Sequence, residues 1–215
     1  MLAATGGALA LLGLVGCSSG ADEAAEPVVD GATSCSYPAS GDAAKQVDPP
    51  AESDVPAEGT VDYTLSFSAG DVTITMDRAG APCTINSFGS LAEQGYFDDT
   101  ECHRLTTEGI FVLQCGDPSA TGRGGPGYSF ADEQAGEYPA GTVAMANAGP
   151  DTNGSQFFLV YEDSPLPPDY TVLGSMDEES VALVSEIAAE GNDGSNSPGD
   201  GAPIADARIT SVTGG

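Results

Sequence analysis

Between residues 61 and 76 the chain alternates with a period of two. Tyr63, Leu65 and Phe67 are separated by polar residues, and after Ser68-Ala69-Gly70-Asp71 the alternation resumes at Val72, Ile74 and Met76. Successive strand side chains point to opposite faces, so the pattern predicts a β-hairpin with one buried face. Further strand candidates are "CHRLTT", "IFVLQCGD", "GTVAMAN", "SQFFLVY", "TVLGSM" and "ARITSV". Two segments read as helices instead. Pro82 opens one in which Ile85, Phe88 and Leu91 fall at helical spacing, with Gly95 as its stop. The other runs over Glu178–Ala189, with Asp177 as N-cap, Gly191 just past the end, and a stripe of Val181, Val184 and Ile187 or Ala188. Many short strands with two helices predict a mainly β fold, a closed antiparallel β-barrel capped by two α-helices.

Charge limits the partners. The chain carries 5 Lys+Arg against 33 Asp+Glu, a formal net charge of −28. Such a surface repels nucleic acid and anionic headgroups, so no nucleic-acid partner is expected. The acids are scattered and form no block, which points to solubility more than to capture of basic clients.

The first twenty residues, "MLAATGGALALLGLVGCSSG", form an apolar run too short and too weakly flanked for a transmembrane helix. Leu14-Val15-Gly16-Cys17 closes it and resembles a bacterial lipobox, in which the cysteine is acylated and becomes the new N-terminus. The resemblance implies lipid attachment at Cys17 and a place on the outer face of a bacterial cell membrane, touching the membrane only through that anchor. The alternative is an ordinary secretory signal. The expected organisation is a signal peptide over 1–16, an acidic Pro/Ala/Gly-rich tether over 17–59, and one folded domain over 60–215. Export leaves Cys35, Cys83, Cys102 and Cys115 in an oxidising compartment, which predicts two disulfides.

The chemistry-bearing residues are few. His103 is the single histidine, so a multi-His metal site is excluded and no metal is expected. There is no C-x-x-C, and a redox role for Cys102 and Cys115 is disfavoured by their spacing. No G-x-S-x-G elbow is present, and the glycine-rich "GRGGPG" at 122–127 lacks the lysine of a phosphate loop. Two stretches remain: "CHRLTTEGIFVLQCGDP" from Cys102 and "MANAGPDTNGSQFFLVY" from Met145.

These two stretches resemble the cyclophilins. The first is similar to that family's FHR…F-x-x-QGGD segment, and "MANAGPDTNGSQFF" to its most characteristic signature. "APCTINSFGSLAEQGYFDDT" and "LPPDYTVLG" fall where the family has its first helix and a late strand segment, so the likeness covers roughly residues 61–212. It implies a peptidyl-prolyl cis–trans isomerase on an eight-stranded antiparallel barrel with two helices. It also implies no cofactor, proline-containing peptides and unfolded exported proteins as partners, and a monomer. The family's catalytic arginine falls on Arg104. Its proline-pocket residues fall on Phe111, Val112, Phe158 and Leu166. Groove-lining positions fall on Gln114, Ala146, Asn147 and Gln156, and the pocket-edge position on Tyr170. His103 is read as structural. The competing reading is a cyclophilin-fold peptide-binding chaperone or adaptor with weak or no catalysis.

The chain departs from the pattern in three ways. Arg104 and Gln114 are two residues further apart than usual, around "TTEGI", which demands a bulge ahead of Phe111. Ser164-Pro165 stand where the family has a tryptophan before Leu166, and Val112 replaces a methionine. Both changes imply a shallower pocket with weak binding of cyclosporin-type ligands. Finally, cysteines stand at 83, 102 and 115. If 102–105 and 112–115 are hairpin arms, Cys102 can meet Cys115, which leaves Cys35 for Cys83. Strict alternation from Arg104 and Gln114 opposes this by placing Cys102 and Cys115 on opposite faces; a bulge near Gly109 would reconcile the two, and a Cys83–Cys102 bridge is the alternative.

Overall fold

The computed structural model describes residues 1–3 and 31–215. Most of the expected signal segment, the lipobox-like stretch and Cys17 lie outside the described residues. In chain order the elements are β1 (Ala32–Thr33), β2 (Val55–Pro56), β3 (Thr60–Phe67), β4 (Gly70–Asp77), α1 (Pro82–Glu93), β5 (Thr100–Glu101), β6 (Arg104–Thr106) and β7 (Val112–Cys115). There follow β8 (Thr142–Met145), β9 (Phe157–Val160), β10 (Val172–Met176), α2 (Glu178–Ala189), β11 (Asp200–Gly201) and β12 (Arg208–Gly214). The hairpin forms as the alternation predicts. β3 and β4 pair from Thr60↔Asp77 to Phe67↔Gly70, turning on Ser68-Ala69, with Leu65, Val72, Ile74 and Met76 fully buried.

The fold is mainly β with two helices, but the closed eight-stranded barrel is not what forms. The principal sheet has 10 strands in the order β11-β6-β7-β9-β8-β10-β4-β3-β12-β5 and curls into a half-barrel with β11 and β5 at its edges. The reason lies at Cys102–His103, where one run of chain changes partner. The Cys102 N–H donates to the Ala207 carbonyl (2.9 Å), beside β12, and the next N–H, of His103, donates to the Gln114 carbonyl (3.0 Å), in β7. Covalent continuity between β5 and β6, not a ladder between them, joins the two flanks.

Both helices end where the sequence places them. Asp177 caps α2 by accepting the Ser180 N–H at 2.7 Å, and Gly191 follows its C-terminus at φ +85°. The buried stripe of α2 is Ser180, Val184, Ile187 and Ala188, with Val181 only half-buried. Ser180 faces inward because its hydroxyl accepts the Thr73 N–H of β4 at 2.8 Å, which satisfies two polar groups at once. Helix α1 has Ala81 at its N-cap, which cannot accept a hydrogen bond through its side chain. Glu133 supplies the cap from a distant loop: its carboxylate accepts the N–H groups of Cys83 (3.0 Å) and Thr84 (2.8 Å) and the Thr84 hydroxyl (2.7 Å).

Residues 31–59, read in the sequence as part of a tether, form a strap on the domain. β1 pairs with β2, Cys35 is bridged to Cys83, and the buried Tyr37 packs edge-on against Tyr128 and Phe130. The Tyr37 hydroxyl donates to the Cys83 carbonyl at 2.7 Å and accepts from Asn86 at 2.9 Å. Further along, the N–H groups of Ser40 and Ala44 donate to the carbonyls of Gly127 and Gly125, each at 2.9 Å. The second bridge joins Cys102 to Cys115, whose Cα atoms are 4.0 Å apart. The irregularity that permits it lies at His103, not near Gly109. Arg104 is the ladder partner of Gln114, and the His103 N–H also reaches the Gln114 carbonyl, so two residues face one and the alternation before Arg104 is reset.

Candidate functional site

Arg104, Gln114 and Phe158 lie side by side on three neighbouring strands. β6 pairs with β7 at Arg104↔Gln114, and β7 pairs with β9 at Gln114↔Phe158. Period-two alternation puts Val112 on the same face of β7 as Gln114. Val112 and Phe158 belong to a small apolar cluster with Tyr138, Ala144 and Val160 that is separate from the main core. Ile110, Ala146, Leu166, Tyr170 and Val172 pack on it, half-buried. Phe158 meets the Tyr170 ring edge-on at 5.4 Å.

A polar chain runs along one side of this patch. The Gln114 amide donates to the Gln156 side-chain carbonyl at 2.8 Å, and the Gln156 amide donates to the Gly124 carbonyl at 2.9 Å. Arg104 Nη1 approaches Gln114 Oε1 at 3.4 Å. The other edge of the guanidinium is held by Asp200: Nε donates to Oδ1 at 2.9 Å and Nη2 to Oδ2 at 2.7 Å. These hydrogen bonds raise the Arg104 pKa above its ordinary value against the opposing effect of burial, so the fork stays charged. They also hold the Asp200 carboxyl below the usual range.

Beyond Gln114 and Gln156 opens a cavity of about 550 Å³, lined by Ala146, Asn147, the 122–126 loop and strap residues Ser40, Gly41 and Asp42. Asp117 shapes that loop. Its fully buried carboxylate accepts the N–H groups of Ser119, Thr121, Arg123 and Gly124. Burial raises its pKa, but hydrogen bonds led by that from Ser119 outweigh this and keep it ionised. A Cβ on Gly124 would lie 2.0 Å from Asp117 Oδ1, so the loop requires glycine there. Glycine-rich "GRGGPG" is therefore a wall of the cavity.

Of the residues singled out in the sequence, Gln114, Ala146, Asn147 and Gln156 line the cavity, Val112, Ala146, Phe158, Leu166 and Tyr170 form or pack on the apolar cluster, and Arg104 stands beside Gln114 on the neighbouring strand. Phe111 does not join the apolar cluster. It is half-buried, its ring meets Tyr161 at 6.0 Å, and its N–H donates to the Ser164 hydroxyl at 2.8 Å. Ile110 takes the place in the cluster, because the two extra residues before Gln114 alter the approach to β7. Sequence reasoning missed Ile110, Tyr138 and Asp200. Tyr138 exchanges two hydrogen bonds with the Tyr170 backbone, each at 2.9 Å, and so fixes the patch edge. Its only sequence signal was an aromatic within the Gly/Pro-rich "AGEYPAG".

A family model described as cyclophilin type peptidyl-prolyl cis-trans isomerase/CLD matches residues 60–213. The chain belongs to the cyclophilin-type peptidyl-prolyl cis–trans isomerases. It is 44% identical over 208 residues to the probable peptidyl-prolyl cis-trans isomerase B of Mycobacterium leprae, covering 87% of this chain and 68% of that protein. The Mycobacterium tuberculosis (strain ATCC 25618 / H37Rv) protein of the same name is 43% identical over 204 residues, covering 87% and 66%. This cyclophilin thus spans about two thirds of the length of those relatives. A crystal structure of a Cryptosporidium parvum cyclophilin type isomerase has a TM-score of 0.65 at 27% identity, covering 73% of this chain and 98% of that one. A second structure of that protein, in the presence of the dipeptide Ala-Pro, has a TM-score of 0.61 at 28% identity, covering 71% and 97%.

His103 takes no part in the polar chain. Both ring nitrogens are buried with no hydrogen bond of good geometry, and burial outweighs the nearby Asp117 carboxylate and the Gln156 side chain to lower its pKa, leaving the ring neutral at pH 7. The sign for stability follows: below about pH 6.5 the unfolded chain takes up this proton before the folded chain does, so stability falls as pH falls through that value. For catalysis, His103→Gln is expected to keep kcat/KM within about twofold, and the wild-type profile is expected to be flat from about pH 7 to 9. A profile bending near pH 7, lost in His103→Gln, would instead make the imidazole a proton carrier.

Proposed function

We propose that this cyclophilin accelerates X-Pro rotation in exported proteins as they fold, acting as a monomer from a lipid anchor at Cys17 on the outer face of the cell membrane. The observation that carries the catalytic part is the guanidinium of Arg104, charged and fixed in plane, beside the apolar cluster of Val112 and Phe158. Rotation needs neither nucleophile nor base. The barrier of ~18–20 kcal/mol is amide resonance, and a catalyst must bind the twisted amide better than either planar isomer. Twisting frees a lone pair on the proline nitrogen, and an N–H of Arg104 is the group to bond it. Val112, Phe158 and Leu166 grip the ring while the carbonyl side turns, with Tyr170 at the rim. Asn147 pairs through its backbone with the flanking peptide, and Gln114, itself held by Gln156, orients Arg104. Substrates are proline-containing peptides and unfolded chains. With serine, proline and valine where bulkier side chains would deepen the pocket, cyclosporin-type ligands bind weakly.

Two features support the export reading: the lipobox-like "LVGC" and the two disulfides, which suit an oxidising compartment. Mass spectrometry of the membrane fraction is expected to find Cys17 as an acylated N-terminus. One acyl chain anchors only marginally, so more than one is expected on the mature terminus. A soluble product cleaved at another position would contradict the anchor.

A further inference from the structure

We infer that Asp200 is a positioning residue for the isomerase reaction, one that fixes the Arg104 fork so that its free edge faces the amide; the inference rests on Arg104 being the catalytic group. The contact is not an ordinary surface ion pair. It is bidentate, Nε to Oδ1 and Nη2 to Oδ2, with the two side chains 36% and 20% exposed. Bidentate geometry sets the guanidinium plane as well as its distance. A carboxylate on one edge leaves Nη1 and the second Nη2 proton turned away from it. Nη1 is the nitrogen on the Gln114 side, toward the groove.

The carboxylate is itself held. Asn196 Nδ2 donates to Oδ1 at 3.0 Å. Asp200 and Gly201 form β11, which pairs with Thr106 and Leu105 of β6, the strand that starts at Arg104. Behind β11, Asp193 Oδ1 accepts the N–H groups of Ser195 (3.0 Å) and Ala202 (2.9 Å), and a Cβ on Gly201 would lie 2.2 Å from that oxygen. The loop is therefore built to seat the Asp200 carboxylate on the arginine, with glycine required at 201. An acid so placed also opposes the positive charge offered to the amide nitrogen. It benefits the reaction only if a fixed direction for the N–H groups is worth more than that lost attraction. The reaction demands an N–H aimed at one atom through a rotation, and small misplacements of such a group are costly.

The test is a double-mutant cycle on the full chain, reading X-Pro isomerisation with kcat and KM resolved. Asp200→Ala is expected to lower kcat about tenfold with KM little changed, and Asp200→Asn, which keeps an acceptor and the shape, to recover part of that loss. In an Arg104→Ala background the same Asp200→Ala change is expected to alter the residual rate less than twofold, because the group it positions is gone. Equal losses in both backgrounds, or an Asp200→Asn variant faster than wild type, would overturn the inference. An Arg104→Ala variant as active as wild type would instead overturn the reading of Arg104 itself. Circular dichroism on each variant confirms the fold, and Asp200→Asn carries the test if Asp200→Ala does not fold.

Discussion

Arg104→Ala is expected to lower kcat/KM for X-Pro isomerisation by on the order of 100-fold or more, the size of effect seen when a preorganised donor to a transition state is removed. Arg104 is half-exposed and makes its contacts through the guanidinium, so the variant should fold. Arg104→Lys retains the charge, yet it is also expected to be poor. An ammonium cannot take both Asp200 oxygens along one planar edge and still present an N–H toward Gln114 and the groove. The assay is run with each variant over a range of concentrations. Rates equal to wild type in Arg104→Ala would remove the arginine from the mechanism, and a Lys variant as fast as wild type would reduce its role to charge alone.

The second large effect concerns stability. The Cys35–Cys83 bridge closes a separation of 48 residues and ties the strap to the start of α1. Loop-closure entropy for that separation amounts to about 4 kcal/mol, against about 3 kcal/mol for Cys102–Cys115, which closes a separation of 13. The double variant Cys35→Ser, Cys83→Ser should therefore lose about 4 kcal/mol, with a melting temperature lower by roughly 8–16 °C. Tyr37 stays packed on Tyr128 and Phe130 and limits how far the strap is released. Urea unfolding of both forms reads the difference; a loss below about 1 kcal/mol would mean that the strap's packing, not its covalent tie, holds it.

Much of the fold was legible because it is local. The period-two run through β3 and β4, Pro82 at the start of α1, and Asp177 and Gly191 around α2 each carry their own signal, and the structure places those elements where that signal does. What failed was non-local. Barrel closure depends on which neighbours Cys102 and His103 find, and no pattern in "ECHRLT" reports a change of partner between two adjacent N–H groups. Glu133 as the cap of α1 was invisible for the same reason, since 49 residues separate it from Thr84. The strap lacks apolar periodicity and reads as a tether, in which only the cysteine count points to attachment, through Cys35 to Cys83; the β1–β2 pairing and the packing of Tyr37 that lay it on the domain carry no local signal.

The site divides the same way. Arg104, Gln114 and Phe158 could be read because their strands preserve a long motif, and the register brings them side by side. Phe111 stands outside the apolar cluster, against Tyr161, and Ile110 packs on the cluster instead, in the stretch where two extra residues precede Gln114. Asp200 lies 96 residues from Arg104, in a loop where Asp, Asn, Ser and Gly are so frequent that no single acid stands out.

The most direct test of the central claim is the rate of cis-to-trans conversion of a peptide containing Ala-Pro, followed at 25 °C with rising amounts of the wild-type chain. Uncatalysed, the step takes ~10–100 s. The observed rate constant is expected to climb linearly with the concentration of folded chain. A rate constant that stays at the uncatalysed value, while circular dichroism shows the chain folded, would contradict it.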